Sequence, residues 1–477
     1  MKRHYLAMGV MAAVLGGCTL GPEPQRPANV ADNADRFVNT TANEAAEANL
    51  VEWWKRFDDP VIDELVTQAL EHNTDLRAAV ARVTESRALL GAAVGQRLPQ
   101  VSVGSGFDRR QTVTDVGNRR VRNLGNTYSV SGMVSWQVDV FGKLRRQQEA
   151  AAAELNATEA DRQAVLHSVI AETVRLRSQI ATLQKALQLT RDDTTNWRRT
   201  HDIIERRYQR GVATALDLRL ANENLAASRA AEPEAEYQLR VARHALDVLL
   251  GRQPGTGEEP EQTLSDLPPL AAPPVGLPVS LLDRRPDLRS SELRTGAATL
   301  GIGVALADLY PDLTISAGGG WQASRLHQLD DPQSFVWSLL VEAGWKVFAG
   351  GSLRANVDAA KARAEGAAAQ YAGSVLGALK EVEDSLVREE TARRRYADVQ
   401  SRVDEALAAE KLADDRYQRG VESLITVLET ERRRRLAQRD LLAMRQTVWE
   451  ARINLILALG GDWQNEPLDK AGRSVEE

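Results

Sequence analysis

The stretch Arg207-Tyr208-Gln209-Arg210-Gly211-Val212 occurs twice in this chain, and its second copy decides the fold. It returns 209 residues later as Arg416-Tyr417-Gln418-Arg419-Gly420-Val421. Leu250-Gly251 recurs at the same offset as Leu459-Gly460, and Asp75-Leu76-Arg77 recurs 212 residues on as Asp287-Leu288-Arg289. Offsets this steady predict one structural unit used twice. A unit of this length is too long for a solenoid repeat, so each copy must form a sizeable assembly of its own.

The repeat divides the chain into predicted segments. Seven of the 17 prolines lie between Gly251 and Pro278, which predicts a surface linker between the copies. Residues 18–50 are rich in Asn, Ala and acids without periodicity, which predicts an extended tether. The predicted segments are a signal peptide at 1–17, the tether at 18–50, repeat 1 at 51–250, the linker at 251–278, repeat 2 at 279–460 and a C-terminal tail at 461–477.

The start of the chain has the pattern of an export signal. Lys2 and Arg3 precede an apolar run from Tyr5 to Leu15, and small residues follow before Cys18. The run is too short to span a bilayer, and no later run of 18 apolar residues occurs in the sequence. If this protein crosses a membrane, strands must do it.

Charge and motifs exclude several classes of protein. The net charge of −6 becomes −8 once residues 1–17 are removed, so bulk charge does not favour a nucleic-acid binder. The sequence contains no paired-His metal motif, no Gly-x-Ser-x-Gly and no phosphate loop. We therefore expect no enzyme, no nucleic-acid partner, no metal site and no bound cofactor.

One very long helix is predicted in each copy. Between Gly142 and Arg210 there is no Pro, and roughly 69 residues of helix span about 100 Å. Seam residues alternate steps of three and four, an average of about 3.5 that predicts a left-handed coiled coil. They are Leu166, Val169, Thr173, Leu176, Ile180, Leu183, Leu187, Thr190, Thr194 and Trp197. The second copy, Leu353 to Arg419, is equally long, but Glu389 and Arg393 interrupt its seam.

Each long helix ends at the repeated motif, where a tight turn predicts an antiparallel helical hairpin. Gly211 and Gly420 can adopt the left-handed conformation that often follows a helix. Thr214 and Ser423 can cap the next helix, and Thr214 with Asp217 predicts a capping box. The hairpins are expected at 142–250 and 353–460.

Ahead of each long helix, apolar and polar residues alternate strictly in two stretches, expected as strands at about 101–140 and 313–348. A period of two gives the sheet one polar, water-facing side and one apolar side, as in a half-buried soluble sheet or the wall of a membrane barrel. Strand length, tryptophans near the ends and the export signal favour the barrel wall. Polar residues expected to face the lumen are Gln137, Asp139, Glu342 and Lys346.

Four strands cannot close a barrel, and open edges in lipid cost several kcal/mol for each unsatisfied backbone group. The chain must therefore form an oligomer. Two copies would give eight strands and a filled interior, whereas three would give twelve strands and room for a polar lumen. We predict a homotrimer.

Four stretches of the sequence resemble one known family. They are Gly21-Pro-Glu-Pro-Gln-Arg-Pro27, Trp53-Trp54-Lys-Arg-Phe57, Ala245-Leu-Asp-Val-Leu-Leu-Gly-Arg252 and Leu277-Pro-Val-Ser-Leu-Leu-Asp-Arg-Arg-Pro-Asp-Leu-Arg289. The chain resembles the TolC-like outer-membrane factors, lipoprotein branch, of the OprM or NodT type, over essentially its mature length. The resemblance implies a mixed α and β fold. Three protomers would form a 12-stranded transmembrane β-barrel, four strands from each, continuous with a long periplasmic α-helical coiled-coil barrel.

The family's channels are the exit ducts of tripartite efflux systems. The resemblance implies passive transport to the outside, with a periplasmic adaptor (membrane fusion protein) and an inner-membrane transporter of the RND type as partners. Alternatives are the outer-membrane channel of a type I protein secretion system and a non-conducting, structural coiled-coil envelope lipoprotein.

The stretch Leu15-Gly16-Gly17-Cys18 resembles a bacterial lipobox. It implies cleavage before Cys18 and a covalent N-terminal diacylglycerol and palmitate on that residue, which together give stable anchoring in outer-membrane lipid. Thr19, in place of Asp, favours sorting to the outer membrane. The expected location is the cell outer membrane, with the protein lipid-anchored and extending into the periplasm.

The resemblance also implies adaptor contacts at the two hairpin tips. The tip residues are Arg210, Gly211, Val212, Arg419, Gly420 and Val421. The ordinary interpretation of the same motif, a plain helix turn, explains its glycine equally well.

The family's periplasmic gate consists of an apolar ring and an acidic ring one helical turn apart, just after the tip. These rings match Ile425 and Glu429, with Arg432 as the charge partner on the same helix face. The corresponding first-copy residues are Leu216 and Leu220, which predicts a fixed wall there. The alternative is an ordinary exposed Glu-Arg pair.

Two basic runs, Arg393 to Arg395 and Arg432 to Arg435, wrap most of a helix turn each. Such runs usually form a solvated surface. The alternative is pairing with acids near the tip.

Overall fold

The described part of this protein consists mainly of long α-helices and one small β-sheet. The computed structural model describes residues 19–28, 31, 36–39, 52–117, 119–257 and 281–461. The helices are α1 (Pro60–His72), α2 (Thr74–Gln96), α3 (Lys143–Gln209), α4 (Ala215–Leu249), α5 (Leu281–Arg284), α6 (Pro286–Ala307), α7 (Ser352–Gln418) and α8 (Leu424–Ala458). Helices α3 and α7 each contain 67 residues, or about 100 Å, which confirms the two long helices.

Short 3₁₀ helices lie at Trp53–Phe57, Leu326–Gln328 and Pro332–Ser334. Among the helices in the described part of the chain, none combines the length and the apolar character of a membrane span.

The chain divides into two units, each assembled from three stretches. Unit 1 comprises Met1–Pro27, Arg82–Glu159 and Ser290–Ala372, and unit 2 comprises Ala28–Ala81, Ala160–Arg289 and Gly373–Glu477. Both units draw on both repeats, so neither repeat folds as a separate domain.

Unit 1 contains an antiparallel sheet in the order β1-β2-β3-β4. Its strands are β1 (Gln100–Val116), β2 (Arg119–Val138), β3 (Asp312–Ala323) and β4 (Phe335–Gly344). The central pair, β2 with β3, joins the two repeats, and its register runs from Tyr128 opposite Ala323 to Val138 opposite Leu313. Two strands per repeat, four per protomer, are confirmed.

The first hairpin of the sheet is longer than its alternating residues predict. Strand β1 has 17 residues and β2 has 20, and they stay paired as far as Val116 opposite Arg119. Backbone hydrogen bonds hold the ladder together, so pairing continues through polar residues such as Arg110 opposite Gly125, where the apolar pattern has ended.

The ends of β2 and β4 correct the sequence-based expectation. These strands were expected to continue to Val140 and Val347, but they end at Val138 and Gly344. Asp139 and Lys346 therefore lie beyond the strands rather than within them. For Asp139 the reason is clear, because its carboxylate accepts the backbone N–H groups of Leu144 at 3.1 Å and Arg145 at 2.7 Å. It caps the start of α3, where four N–H groups lack helical partners.

The core of unit 2 follows the predicted seam. Val169, Leu176, Ile180 and Leu187 of α3 are buried in one cluster with residues of α1 and α4. Thr173, Thr190, Thr194 and Trp197 are also buried, which confirms the seam of the first copy. In α7, at the expected interruption, Glu389 is buried and pairs with Arg452 of α8.

The duplication extends to individual contacts in unit 2. The Asn73 side-chain amide donates to the Leu249 carbonyl at 2.9 Å. Arg285, 212 residues after Asn73, donates to the carbonyl of Ala458, 209 residues after Leu249, at 3.2 Å. Asn73 directly precedes α2, and Arg285 directly precedes α6. Different side chains thus connect the end of α4 to the start of α2 and the end of α8 to the start of α6.

Candidate functional site

The two hairpin tips have the same backbone geometry. Gly211 and Gly420 have φ values of +74° and +76°, the left-handed conformation expected there. Val212 N–H donates to the Arg207 carbonyl at 2.9 Å, and Val421 N–H donates to the Arg416 carbonyl at 3.0 Å. These bonds close the helix ends in the manner of a Schellman motif and leave both valines exposed at the turn.

The return helices begin with different caps. Thr214 and Asp217 form the predicted capping box, with Asp217 N–H donating to Thr214 Oγ1 at 3.2 Å and Thr214 N–H donating to Asp217 Oδ2 at 2.8 Å. Ser423 accepts from Thr426 N–H at 3.3 Å. Because Thr426 replaces the acid of the box, Glu422 takes the reciprocal role and accepts from Ser423 N–H at 3.2 Å.

A side-chain link joins the tips within one chain. Arg207 Nη1 donates to the hydroxyl of Tyr417 at 2.6 Å, and the guanidinium carbon of Arg207 lies 5.2 Å from the centre of that ring. Both residues belong to copies of the same motif, so the motif alone did not indicate which arginine would contact which tyrosine. The link connects the end of α3 to the end of α7.

The proposed gate residues lie on the first turns of α8. Ile425 is 60% exposed, the Arg432 side chain is 60% exposed and the Glu429 side chain is 37% exposed. Arg432 donates to both carboxylate oxygens of Glu429, from Nε at 2.9 Å and from Nη2 at 2.8 Å. A ring needs several chains, so the ring itself stays a prediction.

A second arginine, which was not expected to be a partner of Glu429, completes this group. Arg433 Nε donates to Glu429 Oε1 at 2.8 Å. Hydrogen bonds from Arg432 and then Arg433 lower the pKa of the Glu429 carboxyl from 4.5 to about 2. The spacing of four residues between Glu429 and Arg433 could have identified this partner.

The basic runs do not form uniform solvated surfaces. Arg432 and Arg433 are exposed, whereas Arg434 and Arg435 are mostly buried beside acids of α3, α7 and α8. In the other run, Arg393 pairs with Glu389 at 2.8 Å. These arginines pair with acids, as the alternative interpretation expected, but Arg393 and Glu389 lie far along α7 from the tip rather than at it.

Two of the four residues expected to face the lumen, Gln137 and Glu342, lie in one row across the sheet. Gln137 of β2 lies opposite Thr314 of β3, and Thr314 lies opposite Glu342 of β4. Cross-strand partners point to the same face, so a polar row crosses three strands. Gln137 also donates to Asp312 Oδ1 at 3.2 Å. Asp139 and Lys346 lie outside this row, beyond the strand ends.

Tryptophans fix the sheet ends in the same way in both repeats. Trp136 Nε1 donates to the Arg97 carbonyl at 3.0 Å, and Trp345 Nε1 donates to the Leu309 carbonyl at 3.0 Å. The donors are 209 residues apart and the acceptors 212, the two offsets of the duplication. The repeated contact attaches each sheet end to the chain that follows α2 or α6.

Cys18, the residue expected to carry the lipid anchor, lies outside the described residues, but the chain that follows it contacts other parts of unit 1. Leu20 N–H donates to the Phe141 carbonyl at 3.3 Å, and the buried Arg146 donates to the Leu20 carbonyl at 3.1 Å. Arg146 also pairs with Glu23 at 2.7 Å, and hydrogen bonding and attraction from Arg146 lower the pKa of the Glu23 carboxyl.

One group in the described part of the chain has the composition of a metal site. His201, Asp202 and Glu205 on α3 place three possible ligand atoms within 4.8 Å of one another. All three lie on a single exposed helical segment, where such groups are common without an ion, so the expectation of no metal site stays a prediction.

Comparison with known proteins identifies the family. The model of the family described as "Outer membrane efflux protein" matches residues 65–252 and 277–461, which correspond to the two repeats. The toluene efflux pump outer membrane protein TtgF of Pseudomonas putida is 30% identical over 476 residues, covering 98% of each chain. The pyoverdine export outer membrane protein OpmQ of Pseudomonas aeruginosa is 30% identical over 473 residues, also covering 98% of each chain.

A solved structure gives the same result. The outer-membrane channel OprN has a TM-score of 0.86 and 32% identity, covering 94% of this chain and 100% of that one. These relatives are channels and pump components rather than enzymes. This protein is therefore located in the outer membrane, extends into the periplasm and belongs to the outer membrane efflux protein family.

Proposed function

We propose that this protein is a trimeric outer-membrane exit duct that conducts substrates passively and is gated at its periplasmic tips. The observation that carries the proposal is the sheet with two open edges. In the order β1-β2-β3-β4, strands β1 and β4 each have one strand neighbour within the described part of the chain. Unpaired backbone groups in lipid are costly, and pairing β1 of one copy with β4 of the next satisfies them. Three copies give a 12-stranded barrel with a lumen.

The exposed side chains of the sheet support membrane insertion. Every residue of β4 is exposed in the single chain, and Trp337, Leu339 and Val341 on one face are 75%, 63% and 61% exposed. On the other face, Glu342 belongs to the polar row with Thr314 and Gln137. An apolar face towards lipid and a polar face towards a lumen account for both.

The helices also have apolar surfaces that the single chain leaves uncovered. On α4, Tyr237, Val241 and Val248 are exposed at steps of four and seven residues. This spacing is typical of a coiled-coil seam. A neighbouring protomer would cover it and extend the helices into a continuous α-helical barrel.

The relatives support a passive duct with little chemical selectivity. By their names, TtgF serves toluene efflux and OpmQ serves pyoverdine export, although each is 30% identical to this chain. Toluene is small and apolar and pyoverdine is not. We infer that substrate choice resides in an inner-membrane transporter of the RND type, joined through a periplasmic adaptor.

The tips are the proposed adaptor contacts. Val212 and Val421 are exposed at tight turns in which Gly211 and Gly420 adopt the left-handed backbone conformation. The Arg207–Tyr417 hydrogen bond connects the two turns. Cysteines introduced at Val212 and Val421 are expected to crosslink to an adaptor in an assembled pump. Cysteines at Gln238 and Arg240, exposed residues of α4 outside the apolar row of Tyr237, Val241 and Val248, serve as the control pair.

Cys18 is the proposed lipid anchor, with diacylglycerol and palmitate as its covalent groups. The docking of Leu20 and Glu23 beside α3 supports it, because it holds the start of the mature chain next to the sheet unit. Mass spectrometry should find an acylated Cys18 at the mature N-terminus. Cys18→Ala should reduce assembly without abolishing it, because the barrel can insert into the outer membrane without the lipid anchor. An unmodified cysteine, or one still joined to Gly17, contradicts the anchor.

Native mass in detergent and conductance in planar bilayers test the duct. We expect a trimer with a low resting conductance that rises when Ile425 and Glu429 are both replaced by alanine. The matched control replaces Leu216 and Leu220, the corresponding residues of the first repeat, and should stay closed. A monomer, a dimer or a non-conducting trimer contradicts the proposal, and the last would favour a structural envelope lipoprotein.

A further inference from the structure

Six charged side chains from three helices meet inside unit 2, away from the Glu429 group. We call this set the charge junction. Its members are Asp193 of α3, Glu410 of α7, and Glu431, Arg434, Arg435 and Arg439 of α8. It ties the long helix of the first repeat to both helices of the second hairpin.

Arg434 is shared between two acids. Its Nε lies 2.6 Å from Glu410 Oε2, while its Nη2 lies 3.6 Å from Asp193 Oδ1. The first contact is a close ion pair in which Nε lacks the geometry of a hydrogen bond, and the second is a longer ion pair. Asp193 therefore shares Arg434 with Glu410 and has the longer of the two contacts.

Arg435 is also divided between partners. Its Nη2 lies 3.5 Å from Glu431 Oε2, and its guanidinium carbon lies 4.4 Å above the ring centre of Trp197. A guanidinium stacked on an indole is well placed for a cation–π interaction, but that contact leaves the carboxylate of Glu431 with a loose ion pair.

Arg439 adds little to the buried charge. Its side chain is 49% exposed, and its Nη2 lies 3.9 Å from Asp193 Oδ2, whereas the Asp193 side chain is only 8% exposed. The five members whose side chains are less than a quarter exposed are three carboxylates and two guanidiniums, those of Arg434 and Arg435. Burying an unbalanced charge is costly, and a carboxyl can avoid the cost by binding a proton.

We propose that the charge junction takes up one proton as it packs, so that mild acid clamps α8 against α3 and higher pH loosens the clamp. The proton belongs to the three coupled carboxyls together rather than to one of them. Since α8 also carries Ile425 and Glu429, the clamp would hold the gate closed. That consequence rests on the proposed function, whereas the proton uptake does not.

The directions of the pKa shifts agree with this geometry. Burial raises the pKa of the Asp193, Glu410 and Glu431 carboxyls, although the arginines oppose the rise. A carboxyl whose pKa is higher in the packed state favours that state in acid, and the stabilisation is lost as pH rises through the packed-state value. The window therefore begins above the ordinary carboxyl pKa of about 4.

Hydrogen exchange of the purified full-length protein in detergent tests the proposal directly. The readout is the opening constant of peptides from 190–200 and 428–440 between pH 5 and pH 8, corrected for the intrinsic exchange rate. Release of one proton on opening predicts a rise of up to about tenfold per pH unit. Wild-type protection that is independent of pH, or that weakens as pH falls, overturns the proposal.

Matched variants locate the effect. Asp193→Asn and, separately, Glu431→Gln remove one excess carboxylate, so each should flatten the pH dependence and keep at pH 8 the protection that wild type has at pH 5. Glu390→Gln is the control, because that carboxyl is exposed on α7, lies outside both peptides and pairs with the exposed Arg394, so this variant should keep the wild-type pH dependence. If both junction variants keep the full wild-type slope, the proton is bound elsewhere and the proposal is wrong.

Conductance separates this proposal from the duct. Wild type should conduct less at pH 5 than at pH 8, and Asp193→Asn should remove that difference. Exchange that depends on pH in a protein without conductance would support the junction and contradict the duct. Conductance without pH-dependent exchange would do the reverse.

Discussion

Arg452 of α8 donates its Nε proton to the carboxylate of Glu389 on α7 at 3.0 Å, and both side chains are buried. The residue 209 positions before Glu389 is Ile180, which lies in the apolar cluster of unit 2. One repeat therefore has an apolar seam at this level and the other has an ion pair. Burial lowers the pKa of the Arg452 guanidinium, although Glu389 opposes the shift.

This asymmetry predicts how substitutions at the pair affect stability. Glu389→Ala leaves a buried arginine with its main partner removed and should cost about 3–5 kcal/mol of unfolding free energy. The double change Glu389→Ile and Arg452→Leu should cost much less, since apolar residues of similar volume often replace a buried pair without loss. Chemical denaturation followed by helical circular dichroism measures both. Glu390→Ala, which breaks the exposed neighbouring pair with Arg394, is the control and should cost under about 1 kcal/mol. A double variant as unstable as Glu389→Ala would contradict the argument.

Local sequence signals were sufficient for the hairpins and the strand pairs. Gly211 and Gly420 have the expected positive φ, and Thr214 with Asp217 forms the expected box. Each of these features depends on residues within four positions of one another, so spacing alone identifies it.

Features that depend on distant residues were not predictable in the same way. The Arg207–Tyr417 contact joins identical motifs, and the length of β1 and β2 follows from backbone pairing through polar residues. The sequence left two interpretations of the run Arg432 to Arg435, a solvated surface or pairing with acids. It did not favour burial of Arg434 and Arg435, because four successive arginines point to nearly all sides of a helix. Only the positions of Asp193 and Glu410 on other helices decide which arginines are buried.

The turn glycines after the two return helices should be far less tolerant of alanine than those at the tips. A Cβ at Gly251 would lie 2.4 Å from the carbonyl oxygen of His72, and one at Gly460 would lie 2.9 Å from that of Arg284. A Cβ at Gly211 would meet nothing within 4 Å. All three have positive φ, so alanine costs about 1–2 kcal/mol at each from the backbone alone.

The backbone contact adds to that cost at Gly251 and Gly460. We expect Gly251→Ala and Gly460→Ala to lower the unfolding midpoint clearly more than Gly211→Ala, which serves as the matched control. Thermal unfolding of the three variants in one detergent makes the comparison. Equal midpoints would mean that the chain around His72 and Arg284 moves aside freely.

The link between the tips should show a graded response. Tyr417→Phe removes the hydrogen bond from Arg207 but keeps the ring beneath the guanidinium, whereas Arg207→Ala removes both. Hydrogen exchange at residues 205–212 and 415–422 should therefore rise slightly in the first variant and more in the second. Tyr208→Phe changes the equivalent tyrosine of the other motif, which does not take part in this link, and should leave exchange unchanged. Similar effects from both tyrosines would contradict a specific contact.

Glu429 should stay ionised at every pH that the periplasm experiences. Hydrogen bonds from Arg432 and Arg433 lower its pKa to about 2, and a lowered carboxyl pKa gives a stabilisation that is present above the ordinary value of 4.5 and lost only as pH falls through about 2. Arg432 supplies two of the three hydrogen bonds and Arg433 supplies one. Arg432→Gln should therefore raise the pKa of Glu429 more than Arg433→Gln, and the double variant should return it towards 4.5.

The measurement is resting conductance between pH 3 and pH 6, taken as the difference between each variant and wild type, which cancels any titration at the charge junction. The double variant should show an added titration near pH 4 to 5 that disappears when Glu429→Gln is introduced as well. A titration that persists without Glu429 would assign the effect to another group, and a difference from wild type that shows no titration would mean that the two arginines do not hold this carboxylate in the assembled protein.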